Sequence, residues 1–365
     1  PEFGLDSTEV EGIDVPVVEH VEMALPGCRL LKFERQLPES LARRRRDPTL
    51  LVFAPLSGHH ATLLRDTVRA LLPDHNVYIT DWLDARMVPA RLGPFGLDDY
   101  VGYVIRFIRH LGPDLHVLSV CQPTVPVLAG VSLMATMNDP LQPLTMTMMG
   151  GPIDTRKCPT KVNDLATKRS YGWFERSLIY RVPAIYPGAG RPVYPGFLQR
   201  AGFVAMNPDR HMLSHWDFYL NLVRGDLGDA ETHRRFYDEY NAVLDMPAEY
   251  YLDTIRTVFQ EHALPRGTWD VRFEGKTWRV APEDIETTAL LSIEGELDDI
   301  SGSGQTEAAH ELCSGIPEAL HKHIEVEGAG HYGIFSGRRW RETVCPEVRA
   351  FILQNRREAQ LRLVS

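Results

Sequence analysis

Leu115-His116-Val117-Leu118-Ser119-Val120-Cys121-Gln122-Pro123 runs an apolar, β-rich hexapeptide straight into a cysteine. Six such residues bounded by turn formers have the length and composition of a strand buried on both faces. Val125, Val127, Leu128 and Val131 follow in a predicted helix, and Pro123 suits its first turn, where a missing N–H costs no hydrogen bond. Cys121 is therefore expected at a sharp strand-to-helix turn.

The flanking sequence repeats this alternation. Leu50-Leu51-Val52-Phe53-Ala54 reads as a buried strand ended by Pro55 and Ser57-Gly58. A helix over 61–72 places Leu64, Val68, Leu71 and Leu72 at helical spacing, and a strand over 76–80 follows. The stretch 97–111 sets Leu97, Tyr100, Val101, Val104, Ile105, Ile108 and Leu111 on one stripe and closes at Gly112. A strand over 144–149 stops at Gly150-Gly151-Pro152. Strands reappear at 289–294 and 321–326, before a helical tail from Arg338. Such alternation predicts an α/β fold with a mostly parallel central sheet flanked by helices.

Between about Lys157 and Asp284 the pattern becomes helical, irregular and aromatic-rich, with Tyr171, Trp173, Phe174, Trp216, Phe218, Tyr219, Phe236, Tyr237, Tyr250 and Tyr251. It reads as an inserted lid over 157–284, leaving a core of 21–156 and 285–360. Residues 1–20 read as an N-terminal extension. Their start, Pro1-Glu2-Phe3, looks like a vector remnant, so a native leader could have preceded it.

Composition narrows the function. A chain of 365 residues with 44% hydrophobic and 24% charged residues can bury a substantial core. Its net charge of −10 speaks against nucleic acid as a partner, and the run Arg43-Arg44-Arg45-Arg46 stands alone, as a solvated turn would. No stretch approaches the roughly 18 apolar residues of a membrane span. Cys28, Cys121, Cys158, Cys313 and Cys345 are odd in number and lack a C-x-x-C pair, which suits a reducing compartment and no zinc.

Three residues fall in the order nucleophile, acid, base at the ends of predicted strands: Cys121, Asp298 or Asp299, and His331. This is the chain order of α/β-hydrolase triads, on a fold that exposes such side chains beyond the carboxyl ends of parallel strands. Alone, Cys121 would read as a small buried hydrophobe. Its position relative to His331 gives it chemistry, because an imidazole can take the thiol proton and later protonate a leaving alkoxide. His331 lies in the small-residue loop Glu327-Gly328-Ala329-Gly330-His331-Tyr332-Gly333. In Glu294-Gly295-Glu296-Leu297-Asp298-Asp299 the usual glycine-x-x-acid spacing selects Asp298, with Asp299 also possible and a capping or calcium-like role as the structural alternative. The Leu56 and Gln122 amides are the expected oxyanion donors, since Pro55 has no N–H. His59, His60, His211, His215 and His233 read as surface or lid residues.

Ser119-Val120-Cys121-Gln122-Pro123, with Pro55-Leu56-Ser57-Gly58-His59, Thr80-Asp81-Trp82 and Gly295-Glu296-Leu297-Asp298-Asp299-Ile300-Ser301-Gly302, resembles the intracellular polyhydroxybutyrate depolymerases, from about residue 20 to residue 355. The resemblance implies hydrolysis of amorphous, granule-bound poly(3-hydroxybutyrate) in the cytoplasm through a thioester intermediate, with Cys121, Asp298 and His331 as the triad. It implies the polyester granule surface as partner, and the chemistry calls for no metal or organic cofactor. The alternatives are a polyhydroxyalkanoate synthase-like acyltransferase, against which the elbow lacks flanking glycines, and a granule-associated protein without turnover. Oligomeric state is not legible.

Overall fold

Strand residues that must bury both faces find partners in one mixed sheet. The computed structural model describes residues 1–356 apart from 207, 225 and 226. Strands β1 (Ser7–Val10), β2 (Ile13–Leu25) and β3 (Cys28–Arg35) form antiparallel ribbons, and β3 runs antiparallel to β5 (Asn76–Trp82). From β5 onward the pairing is parallel, through β4 (Thr49–Phe53), β6 (Leu115–Val120), β7 (Thr145–Met149), β8 (Ala289–Gly295) and β9 (His321–Val326). The order across the sheet is β1-β2-β3-β5-β4-β6-β7-β8-β9. This is an α/β-hydrolase fold, with a mostly parallel sheet between helical layers.

The two-residue period of a strand splits the core into layers. On β4, Leu51 and Phe53 face one layer while Leu50, Val52 and Ala54 just beyond the strand face the other; on β6, Leu115 and Val117 oppose Leu118 and Val120. The first layer holds helix α1 (Leu97–Leu111), whose predicted stripe is buried except for a partly covered Leu111. It also holds α2 (Thr124–Thr136), which follows Cys121 and is buried over all but its last residue. The second layer holds the turn at Ala61–Leu64, the helix Arg65–Leu71 and the C-terminal helix Cys345–Gln354. The helix expected over 61–72 thus begins as a tighter single turn.

The first twenty residues are built into the molecule. Phe3 is buried and its ring meets that of Phe33 edge-on at 5.0 Å, while the Phe3 carbonyl accepts from Arg65 Nε at 2.7 Å. Apolar residues at this end therefore cover the antiparallel side of the sheet. Arg43 and Arg44 close a short helix, and Arg45 pairs with Asp47 and Glu11, so part of the basic run is neutralised locally instead of being freely solvated.

Residues 157–284 divide physically. Helices α3 (Gly196–Met206), α4 (Pro208–Arg224) and α5 (Leu227–Asn241) form one group in which α4 contacts both others. From Leu244 to Val280 the chain returns to the main core, where Tyr250 stacks on Tyr100 at 5.5 Å and Phe259, Trp269 and Val271 are buried. A hairpin of Asp270–Phe273 and Lys276–Arg279 packs on α1. No helix among the described residues is long and apolar enough to cross a membrane.

Candidate active site

Cys121 stands between the carboxyl end of β6 and the start of α2 with φ at 66°. An L residue in this left-handed region costs about 1–2 kcal/mol, strain that persists where surrounding bonds over-determine it. Here the Cys121 N–H donates to the Met149 carbonyl at 2.8 Å, and Thr124 Oγ1 donates to the Cys121 carbonyl at 2.9 Å. The turn lifts a partly exposed thiol into a cleft of about 230 Å³. Gln122, His331, Phe174, Tyr251, Phe259 and Phe335 are among its lining residues, so its wall is largely apolar and comes both from loops beyond the sheet and from residues 162–259.

The sheet brings the other two predicted residues to the same point. β8 lies between β7 and β9, and beyond their ends the Leu297 N–H donates to the Ala329 carbonyl at 2.9 Å, tying the acidic turn to the histidine loop. His331 Nδ1 is 2.7 Å from Asp298 Oδ2, with both side chains buried. The other Asp298 oxygen accepts from the Ile300 and Ser301 amides at 2.9 Å each. Asp298 therefore caps its own turn and also orients the imidazole; of the two candidate acids it is the one on His331, while Asp299 is exposed.

Nδ1 is engaged by Asp298, and His331 lines the same cleft as Cys121. Burial alone would lower the basicity of His331; the Asp298 charge and the Cys121 sulfur outweigh it and hold the imidazole well above its ordinary value. Gly150, at φ 55°, leaves room for this pair. A Cβ there would stand 3.2 Å from His331 Cε1 and 3.3 Å from Asp298 Oδ2.

The Gln122 amide follows the cysteine directly, and that of Leu56 lies between Pro55 and Ser57, which line the same cleft as Cys121. Among the described residues neither donates to any protein acceptor. Leu56 turns its side chain into a second cavity with Trp82, Phe95 and Tyr103, whereas its neighbours Pro55 and Ser57 line the cleft.

Cys28, Cys313 and Cys345 are buried, and that burial raises their thiols, Cys313 to about 12 and Cys345 to about 11. Cys158 is exposed, and its carbonyl accepts from Gln305 Nε2 at 3.3 Å. Cys121 alone of the five lines the cleft.

Three residues here were not assigned to the site from sequence. His59 was expected at the surface or in the lid; instead it is buried, lines the cleft and holds the Tyr240 carbonyl at 3.2 Å, because the loop after β4 folds under α5. His215 of α4 and His233 of α5 both pack on the Tyr237 ring, and the side chains of His211 and Phe236 lie outside the described residues. Tyr250 donates its hydroxyl to Gln122 Oε1 at 3.4 Å. Glu294, buried in β8, accepts from the Gly304, Thr306 and Glu307 amides at 2.8 Å each and so braces the segment after Asp298. An acid inside an otherwise apolar strand was the available signal for Glu294.

The family model described as PHB de-polymerase C-terminus matches residues 150–356. The chain belongs to this family. The matched span includes Asp298 and His331 and begins after Cys121. Among curated proteins, none is similar enough to count as a match. Several solved structures are similar at low identity. A putative lipase from Acinetobacter baumannii AYE is 12% identical, with 93% of each chain covered and a TM-score of 0.48. A thermophilic esterase from Thermogutta terrifontis is 12% identical over 96% of this chain and 97% of its own, also at 0.48. A bromoperoxidase from Bacillus anthracis is 11% identical over 95% and 99%, again at 0.48. Likenesses at this level speak to neither substrate nor mechanism. Membership of the PHB depolymerase family on a hydrolase fold supports ester hydrolysis.

Proposed function

We propose that this chain hydrolyses amorphous poly(3-hydroxybutyrate) to 3-hydroxybutyrate oligomers or monomers, acting on cytoplasmic polymer granules with Cys121 as nucleophile. The observation that carries the proposal is the buried Asp298–His331 pair, whose imidazole lines the same largely apolar cleft as Cys121.

Cys121 Sγ attacks the ester carbonyl carbon while its proton passes to His331 Nε2. Asp298 keeps the Nδ1 proton in place and stabilises the imidazolium. The developing oxyanion is received by the Leu56 and Gln122 amides. Collapse of the tetrahedral adduct breaks the C–O bond, and His331 returns its proton to the leaving hydroxyl oxygen of the polymer. A thioester of the 3-hydroxyacyl unit remains on Cys121. Water then attacks that carbonyl, giving its proton to His331, and the acid departs as the thiol is restored. Each step uses only these groups, so neither metal nor organic cofactor is needed.

The test is acid quench during turnover of p-nitrophenyl 3-hydroxybutyrate, followed by peptide mass spectrometry. A hydroxybutyryl adduct on the Cys121 peptide, lost in Cys121→Ala, is the expected result. An adduct on another residue, or steady turnover with none on Cys121, overturns the nucleophile assignment.

A further inference from the structure

Helix α4 has two apolar faces, and only one is used. Its inner face packs against α3 and α5, with Phe218 stacked on His233 at 4.5 Å and His215 against Tyr237 at 4.3 Å. On the outer face Met212, Trp216, Tyr219 and Val223 recur at steps of four, three and four, which aligns them in one stripe. They are 66%, 58%, 55% and 65% exposed. A surface helix normally presents polar residues there, and a contiguous exposed apolar face marks an interaction site.

We infer that this stripe is the surface by which the lid docks on the amorphous polyester itself, an inference that rests on the substrate reading above. Continuity with the cleft supports it. Gln199 and Gly202 of α3 line the wall around Cys121, Phe197 and Val204 of α3 are exposed, and α4 packs directly on α3. Leu165, half exposed, lines the same cleft. The stripe is thus joined to the cleft wall through the contact of α3 with α4.

Charge selects among apolar occupants. The chain carries a net charge of −10, so a second copy or an anionic phospholipid surface meets repulsion, whereas an uncharged polyester meets none. A water-insoluble polymer must also be engaged at its surface before a segment can enter a cleft. Burying the stripe there gains the transfer free energy of four large side chains.

The test compares the wild-type chain with Met212→Gln/Trp216→Gln/Val223→Gln and with the single variant Trp216→Ser. Co-sedimentation with protein-free amorphous poly(3-hydroxybutyrate) particles and p-nitrophenyl butyrate turnover are read in parallel. The triple variant is expected to lose polymer binding by about tenfold or more, since each apolar anchor contributes more than one decade's worth of affinity when fully buried. Soluble-ester turnover should stay within about twofold, reporting an intact fold and site, because none of the three residues lines the cleft. The single variant should show an intermediate loss. Undiminished polymer binding in the triple variant overturns the inference, as does a wild-type dimer in sedimentation equilibrium that the triple variant dissolves, which would make the stripe a self-association face. Equal wild-type binding to phosphatidylcholine vesicles, lost in the same variant, overturns it in favour of a lipid surface. Wild-type binding to the particles without release of 3-hydroxybutyrate contradicts the substrate reading and leaves docking standing, so the two failures are distinct.

Discussion

His331 Nδ1 lies 2.7 Å from Asp298 Oδ2, and both side chains are closed off from solvent. A carboxylate in this position fixes the imidazole tautomer that leaves Nε2 able to accept a proton. Asp298→Asn keeps the shape but offers the wrong partner, so kcat should fall by roughly two to four orders of magnitude with little change in KM. Asp299→Asn should remain near wild type. Steady-state kinetics on a soluble ester separate the two, and a larger loss in the Asp299 variant would reverse the assignment.

Gly150 is confined by the same pair. Gly150→Ala places a Cβ 2.9 Å from Ile334 Cδ1 and within 3.3 Å of both His331 and Asp298, at a φ of 55° that already disfavours an L residue by about 1–2 kcal/mol. Thermal unfolding should show that loss of stability, and turnover should fall further than stability alone explains as the imidazole is pushed aside. Unchanged turnover would mean that the histidine tolerates displacement.

Glu294 tests how far the acid's support extends. Its carboxylate accepts three backbone amides from the segment after Asp298. Glu294→Gln retains the volume but weakens charge-assisted bonds and introduces donors among donors, costing about 1.5–3 kcal/mol. Denaturant titration should register that cost. A variant as stable as wild type would show that the bonds contribute little.

Stability should peak near neutral pH, with different histidines setting each limb. Burial pulls His59 down to about 4, His116 to about 3 and His310 to about 4. In the unfolded chain each protonates at about 6.5. Below that pH the unfolded state therefore binds more protons, and stability falls from about pH 6.5 toward 4. His331 has the opposite sign: its folded value is raised, so its contribution is present below about 6.5 and is lost as pH rises through that raised value. Melting curves from about pH 4 to 9 should show His116→Asn flattening the acid limb and His331→Gln the alkaline one. An acid limb untouched by His116→Asn would contradict the desolvation argument.

Strands and helices that bury a full face were legible. The helix Leu97–Leu111 and the strands Leu115–Val120 and His321–Val326 appear with the boundaries their periodicity predicts. Cys121 was picked out at the end of the buried strand Leu115–Val120, and His331 in the small-residue loop after the half-buried edge strand His321–Val326. The antiparallel strands Ser7–Val10, Ile13–Leu25 and Cys28–Arg35 carry mixed exposed and buried residues, and were not anticipated. His59 was misread because its burial depends on α5, far away in sequence. Asp298 and Asp299 are adjacent and chemically alike; only the turn closed by the Ile300 and Ser301 amides directs one of them at His331.

The most direct test of the account is release of 3-hydroxybutyrate, as monomer or oligomers, from amorphous poly(3-hydroxybutyrate) by the wild-type chain and by Cys121→Ala and Cys121→Ser in parallel. Release by wild type, none by Cys121→Ala in a chain that melts normally, and reduced release by Cys121→Ser is the predicted pattern, since the relay can also serve a hydroxyl. Release that survives in Cys121→Ala would remove Cys121 from the chemistry, and no release by wild type would remove the polyester as substrate.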